Sequence, residues 1–118
     1  MSATSDLDDA RRRIHAAYDP ELLRSAGGRL AELLSRHLAA IQSGAGPVIP
    51  WHQPPDNVQQ ASQMLADAPG LDASPELLTQ RFADLVTEML GRGINLHHPR
   101  YIGHQVPASV PVAGLFDA

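Results

Sequence analysis

The segment DPELLRSAGGRLAELLSRHLAAIQ, residues 19–42, repeats its apolar residues with the period of a helix. Asp19-Pro20 opens it with a capping side chain followed by a proline, which needs no hydrogen-bond partner in a first turn. Leu23, Leu30, Leu34, Leu38 and Ile41 fall on one side, and Leu22, Ala26 and Leu33 widen the stripe. Gly27-Gly28 interrupts the pattern at roughly 1 kcal/mol per glycine relative to alanine. Such a pair marks either a kink or a close approach of another backbone. The helix is expected to end near Ser43-Gly44-Ala45-Gly46.

The flanks extend the helical reading. Asp6 to Tyr18 reads as a shorter helix whose acidic start suits a positive N-terminal end, with Arg11-Arg12-Arg13 on its solvated face. Ser74-Pro75-Glu76 opens another helix, again with cap and proline. Leu78, Phe82, Leu85, Val86 and Met89 form its expected buried face, and Gly91 and Gly93 end it. Asp56 is expected to cap a short helix reaching about Ala66, before a break at Pro69-Gly70. Between these helices, residues 46–55 (GPVIPWHQPP) should be extended, because their prolines oppose both helix and central strand. Trp51, the single tryptophan, sits there as an anchor on a hydrophobic surface or as a contact with a second subunit. The fragment is therefore expected to be mainly α, with helices joined by extended proline-rich segments.

Composition removes several chemistries. All nine basic residues are arginines, at 11, 12, 13, 24, 29, 36, 81, 92 and 100, so no lysine is present for a Schiff base. Cysteine is absent, which removes disulfides, thiolate metal sites and thiol nucleophiles. Thirteen acidic residues against nine basic ones give a net charge of −4, against any general attraction to nucleic acid or anionic membrane. No apolar run approaches the ~20 residues of a membrane span. Met1 to Asp9 lacks the pattern of a signal peptide, so a cytoplasmic protein is expected. Ten prolines, nine glycines and five aromatics do not suggest a dense independent core. Exposed apolar faces are expected instead.

The residues most suggestive of a site are His97-His98-Pro99-Arg100-Tyr101-Ile102-Gly103-His104-Gln105. The chain after Gly93 reads as extended through Val106. Pro99 keeps His98 out of helical geometry, and Gly103 leaves room for another group to approach. Tyr101, His104 and Gln105 carry hydrogen-bonding tips that suit a substrate-facing wall, as they would suit a polar loop covering a core. A metal site is not expected. In an extended chain His97 and His98 point to opposite faces, and His98 and His104 lie about 20 Å apart, whereas zinc ligands converge within ~2.0–2.3 Å of one ion. His37 reads as a packed, hydrogen-bonded side chain near the apolar stripe, His15 lies in a helix, and His52 falls in the proline-rich crossing. No Gly-x-Ser-x-Gly elbow and no phosphate loop occur, and Ser109 reads as the cap of a last helix. That helix, Pro111 to Ala118, places Val112, Leu115 and Phe116 on one face but has only about two turns, too few to nucleate alone. We expect the polypeptide to be the front end of something longer.

From His98-Pro99-Arg100-Tyr101 through Gly103-His104-Gln105 and Pro107 to residues 111–117, the chain resembles the N-terminal part of group II pyridoxal-phosphate-dependent amino acid decarboxylases. The upstream order of helix, Pro-Val-x-Pro crossing and Ser-Pro-opened helix is similar in layout. The resemblance implies a parent with the α/β, fold type I architecture of the aspartate-aminotransferase family. Residues 1–45 would be a dimer-packing helical arm, and residues 46–118 the start of the decarboxylase domain. It implies a homodimer that releases carbon dioxide from an amino acid through an aldimine with pyridoxal 5′-phosphate. The lysine and the other ligands of that cofactor would lie beyond residue 118, leaving the isolated fragment inactive. His104 falls where relatives have Gln or Tyr near the substrate, with Gln105 beside it and Tyr101 upstream. The sequence His104-Gln105-Val106 departs from the Tyr-Phe-Pro of the aromatic-substrate members, so an aromatic substrate is not implied. The competing reading is a small helical regulatory protein whose apolar faces bind another polypeptide. A hydrolase using His104 or His52 is a third.

Overall fold

The computed structural model describes residues 3–66, 74–103 and 109–116. These form α1 (Ala3–Ala17), α2 (Pro20–Gln42), α3 (Pro54–Ala66), α4 (Pro75–Arg92) and a 3-10 helix (Pro111–Phe116), with no strand among the described residues. The chain is mainly helical, as its periodicity predicts.

Both proline-opened helices begin where their caps place them. Asp19 is extended and accepts from the Glu21 N–H at 2.9 Å. Ser74 is extended and accepts from the Leu77 N–H at 3.3 Å. Such caps satisfy N–H groups that the first turn leaves without partners. At its other end α2 closes through Gly44, whose N–H donates to the Ile41 carbonyl at 3.0 Å, while the Ala45 N–H reaches the Ala40 carbonyl at 3.1 Å. Those two bonds make a Schellman ending, and they require the left-handed φ of +85° that Gly44 supplies.

Several boundaries and faces differ from the sequence reading. α1 begins at Ala3, earlier than Asp6. α3 begins at Pro54, so Pro54-Pro55 forms its first turn and does not prolong the crossing. The Gln53 carbonyl accepts from the N–H groups of Asp56 and Asn57 at 3.0 and 3.2 Å, and the two prolines have no N–H to leave unsatisfied. α4 runs through Gly91 and ends at Gly93. α2 is continuous across Gly27-Gly28, and a Cβ at either position would meet nothing within 4 Å, so no backbone approaches there. The face α4 buries is centred on Ala83 and Val86, which leaves Leu85 and Met89 exposed where burial was expected. Leu23 of the expected α2 stripe is likewise exposed. Trp51 is 68% exposed, so the described residues do not bury it as the expected anchor. The break expected at Pro69-Gly70 falls outside the described residues.

α2 and α4 are the helices that pack broadly against one another. Their core is thin: among the described residues Ile41, Ala83 and Val86 are the buried apolar ones, and no large side chain is fully enclosed. The radius of gyration is 18.1 Å, against about 13.5 Å for a compact chain of this length. α1 buries nothing. Its three consecutive arginines are tied along the helix to acidic neighbours, Arg11 to Asp8 and both Arg12 and Arg13 to Asp9. α3 is joined to α4 through Arg92, whose guanidinium reaches both Glu88 and Asn57. The exposed apolar faces anticipated from composition are present, with Leu7 and Ile14 bare on α1, Tyr18 bare just after it, and Val58 and Leu65 bare on α3.

Candidate functional site

The polar centre of the molecule lies where the crossing after α2 meets the chain leaving α4. Past Gly93 the chain does not stay extended. The His98 N–H donates to the Asn95 carbonyl at 3.1 Å and the Tyr101 N–H to the His98 carbonyl at 2.9 Å, which makes two consecutive turns. Pro99 fits the second turn, where a fixed φ is favoured. The expected opposition of His97 and His98 across a strand is replaced by a tightly folded run in which His98 is buried and His97 half-buried.

This run is bound to three successive carbonyls of the crossing. The Asn95 N–H donates to Val48 at 2.9 Å, the Asn95 side-chain amide to Pro47 at 2.7 Å, and the His98 Nε2–H to Gly46 at 3.1 Å. Gly46 carries a φ of +74°, the left-handed turn that starts the row. The amide orientation of Asn95 follows from its bond to the Pro47 carbonyl, which only an N–H can make. Its Oδ1 then accepts from the Nε2–H of His37 at 3.0 Å. His98 is fixed in the same manner: Nε2 faces a carbonyl, and Nδ1 accepts from the Arg100 N–H at 3.0 Å. The ring is thus the neutral Nε2–H tautomer, with both nitrogens engaged. Asn95 and His98 are the buried polar residues among the described residues, and both are satisfied. His37 is the packed, hydrogen-bonded side chain that its sequence position suggests.

Beside this knot, α2, α4, the 94–97 turn and the 3-10 helix enclose an open cavity of about 490 Å³. Leu34, Leu38, Ile41, Leu90 and Ile94 give it an apolar floor, and His37, Asn95 and His97 supply polar groups at its wall. A mainly apolar cleft of this size with few polar groups has the general make-up of a small-molecule or side-chain receptor.

Of the residues expected to face a substrate, Tyr101 is half-buried, and His104 and Gln105 lie outside the described residues. The Tyr101 ring folds back over Gly103, and a Cβ at Gly103 would overlap the phenol hydroxyl and ring. The room left by Gly103 is therefore taken by the chain's own tyrosine. His15 and His52 are exposed. Among the described residues no three metal-capable side chains converge. Ser109 does not open an α-helix, since the segment after it is 3-10 and its first bond runs from the Ala113 N–H to the Val110 carbonyl at 2.9 Å. Sequence reasoning missed Asn95. The available signal was an asparagine placed two residues after a terminating glycine, where turn chemistry is strongest.

Charge is arranged locally on the helices. Hydrogen bonds from Arg24 and then Ser25 hold the Glu21 carboxyl below the usual range, and Glu21 in turn raises Arg24. Arg29, with Arg36, lowers Glu32. No helix among the described residues is long and apolar enough to cross a membrane. No protein family, curated protein or solved structure matches the chain.

Proposed function

We propose that this chain is the N-terminal portion of a pyridoxal-phosphate-dependent amino acid decarboxylase, supplying helices to a homodimer interface and part of a substrate wall. The observation that carries the reading is the His98-Pro99-Arg100-Tyr101 run with Gly103, whose resemblance to that family is the most specific in the sequence. Two structural features support it. The run is held as a defined turn against the proline crossing, and the bare apolar faces of α1 and α3 suit helices that pack on a second subunit. Tyr101, with His104 and Gln105, is the proposed substrate side, and the parent is proposed to be cytoplasmic and of fold type I.

The cofactor's aldehyde requires an amine, and these residues offer no lysine. The donor set of this chain does not fit pyridoxal phosphate, so no chemical step is assigned to it. Its part is to bind and shape, with the reactive amine carried by a continuation of the polypeptide. The test is to read the coding frame past Ala118. A continuation with a lysine in a Ser-x-x-His-Lys-like context supports the proposal, and an immediate stop codon refutes it. Purified 118-residue protein should neither turn yellow with added cofactor nor release carbon dioxide from amino acids. The second reading, a helical protein that binds another polypeptide without catalysis, is favoured by the open apolar cavity between α2 and α4.

A further inference from the structure

The two histidines of the polar knot differ in how they tolerate a second proton, and this difference stands independently of the decarboxylase reading. His37 donates from Nε2 to Asn95, so a proton added at Nδ1 leaves that bond in place. His98 has no such freedom. Its Nε2–H is committed to the Gly46 carbonyl, and its only lone pair, on Nδ1, receives the Arg100 N–H. A second proton has nowhere to go except Nδ1, where it meets another N–H head-on. We propose that His98 is the proton-operated latch of this clasp, closed on the singly protonated ring and released in acid, so that the turn from Asn95 to Tyr101 detaches from the Gly46–Val48 crossing.

Among the described residues no hydrogen-bond partner replaces what the imidazolium loses. The crossing contributes Gly46, Pro47 and Val48, none of which titrates. From α2 comes His37, joined through Asn95. The last turn of α4 carries Arg92, occupied with Glu88 and Asn57. The run itself adds His97, Arg100 and Tyr101. Among the described residues no carboxylate is hydrogen-bonded to the His98 ring, and Arg100, two residues away, is a like charge. Closure engages a ring with its one proton on Nε2, and a second proton on Nδ1 removes the acceptor that the Arg100 N–H uses. Asn95 and His97 also line the cavity between α2 and α4. Release of the latch therefore unmakes one of its walls.

The test is a nuclear magnetic resonance titration of the full chain between about pH 7.5 and 5, within the range where histidine ordinarily changes charge. Ring nitrogens identify the His98 tautomer, and the Arg100 and Asn95 amides report the clasp. At the upper end His98 should be the Nε2–H tautomer. On acidification the Arg100 amide resonance should move in step with the His98 ring, and intrinsic-rate-corrected exchange of the Asn95 amide should rise at least about tenfold, equivalent to ~1.4 kcal/mol. His37→Gln should retain this transition. His98→Asn, which keeps an acceptor for Arg100 without a titrating ring, should abolish it. A His98 ring that stays singly protonated throughout overturns the proposal. So does a ring that takes up its proton while both amides stay unmoved. The wild-type titration decides the matter even if a variant fails to fold.

Discussion

Replacing Asn95 by alanine is the sharpest probe of what joins the crossing to the body of the molecule. The substitution deletes the side-chain bonds to the Pro47 carbonyl at 2.7 Å and to His37 at 3.0 Å, and spares the backbone bond to Val48. Asn95 is 8% exposed, so water does not readily take its place. A hydrogen bond contributes about 0.5–1.5 kcal/mol net, and a buried partner left without one costs about 1–3 kcal/mol. With two bonds lost and one of the orphaned partners, His37, only half-buried, a local cost of about 2–4 kcal/mol follows. At ~1.4 kcal/mol per decade this is a roughly thirty- to seven-hundredfold faster exchange of the residue-95 amide. The assay is amide hydrogen exchange at neutral pH, comparing residue 95 with the interior of α2. A change below about threefold at residue 95 would refute the assigned network. An equal acceleration in α1 would show that the effect is not local.

Three further outcomes are expected. Gly103→Ala drives a methyl into the far end of the Tyr101 ring, and should displace that ring, seen as a change in Tyr101 proton shifts while α2 resonances hold. Arg92→Ala removes the link from α4 to Asn57, and should speed proteolytic cleavage within residues 54–66 while leaving α2 protected. The lowered carboxyls of Glu21 and Glu32 contribute helix stability that is present above the ordinary glutamate range and lost as pH falls through their folded values. Helicity measured by circular dichroism should therefore decline in acid more for the native chain than for a Glu21→Gln, Glu32→Gln double variant, and the difference should shrink in high salt.

Local signals were legible and long-range ones were not. Asp19-Pro20 and Ser74-Pro75 mark helix starts because a cap and a proline act within one turn, and both starts fall as read. Pro54-Pro55 misled because proline opposes helix interiors but suits first turns, and the sequence alone does not say which applies. Leu85 and Met89 share a helical stripe with Val86, yet one partner helix covers only part of that stripe. At the candidate site, His37 was readable as a bonded side chain from its place on an apolar stripe. Its partner Asn95 is 58 positions away, a separation that no periodicity encodes. The turns at 95–101 replaced an expected extended run because Asn95 and His98 find carbonyl acceptors in the crossing, and that pairing is set by tertiary geometry.

The bonds between the Gly46–Val48 row and the 95–98 turn join positions 48 and 52 apart in sequence, and this separation orders the steps by which the chain folds. Closing a loop of that length costs about 3.5 kcal/mol of chain entropy, more than the first of those bonds returns. The helices must therefore meet before the knot can tie, and the knot comes undone before they part. Substitutions at Asn95 or His98 will then hasten unfolding while leaving the refolding rate nearly untouched.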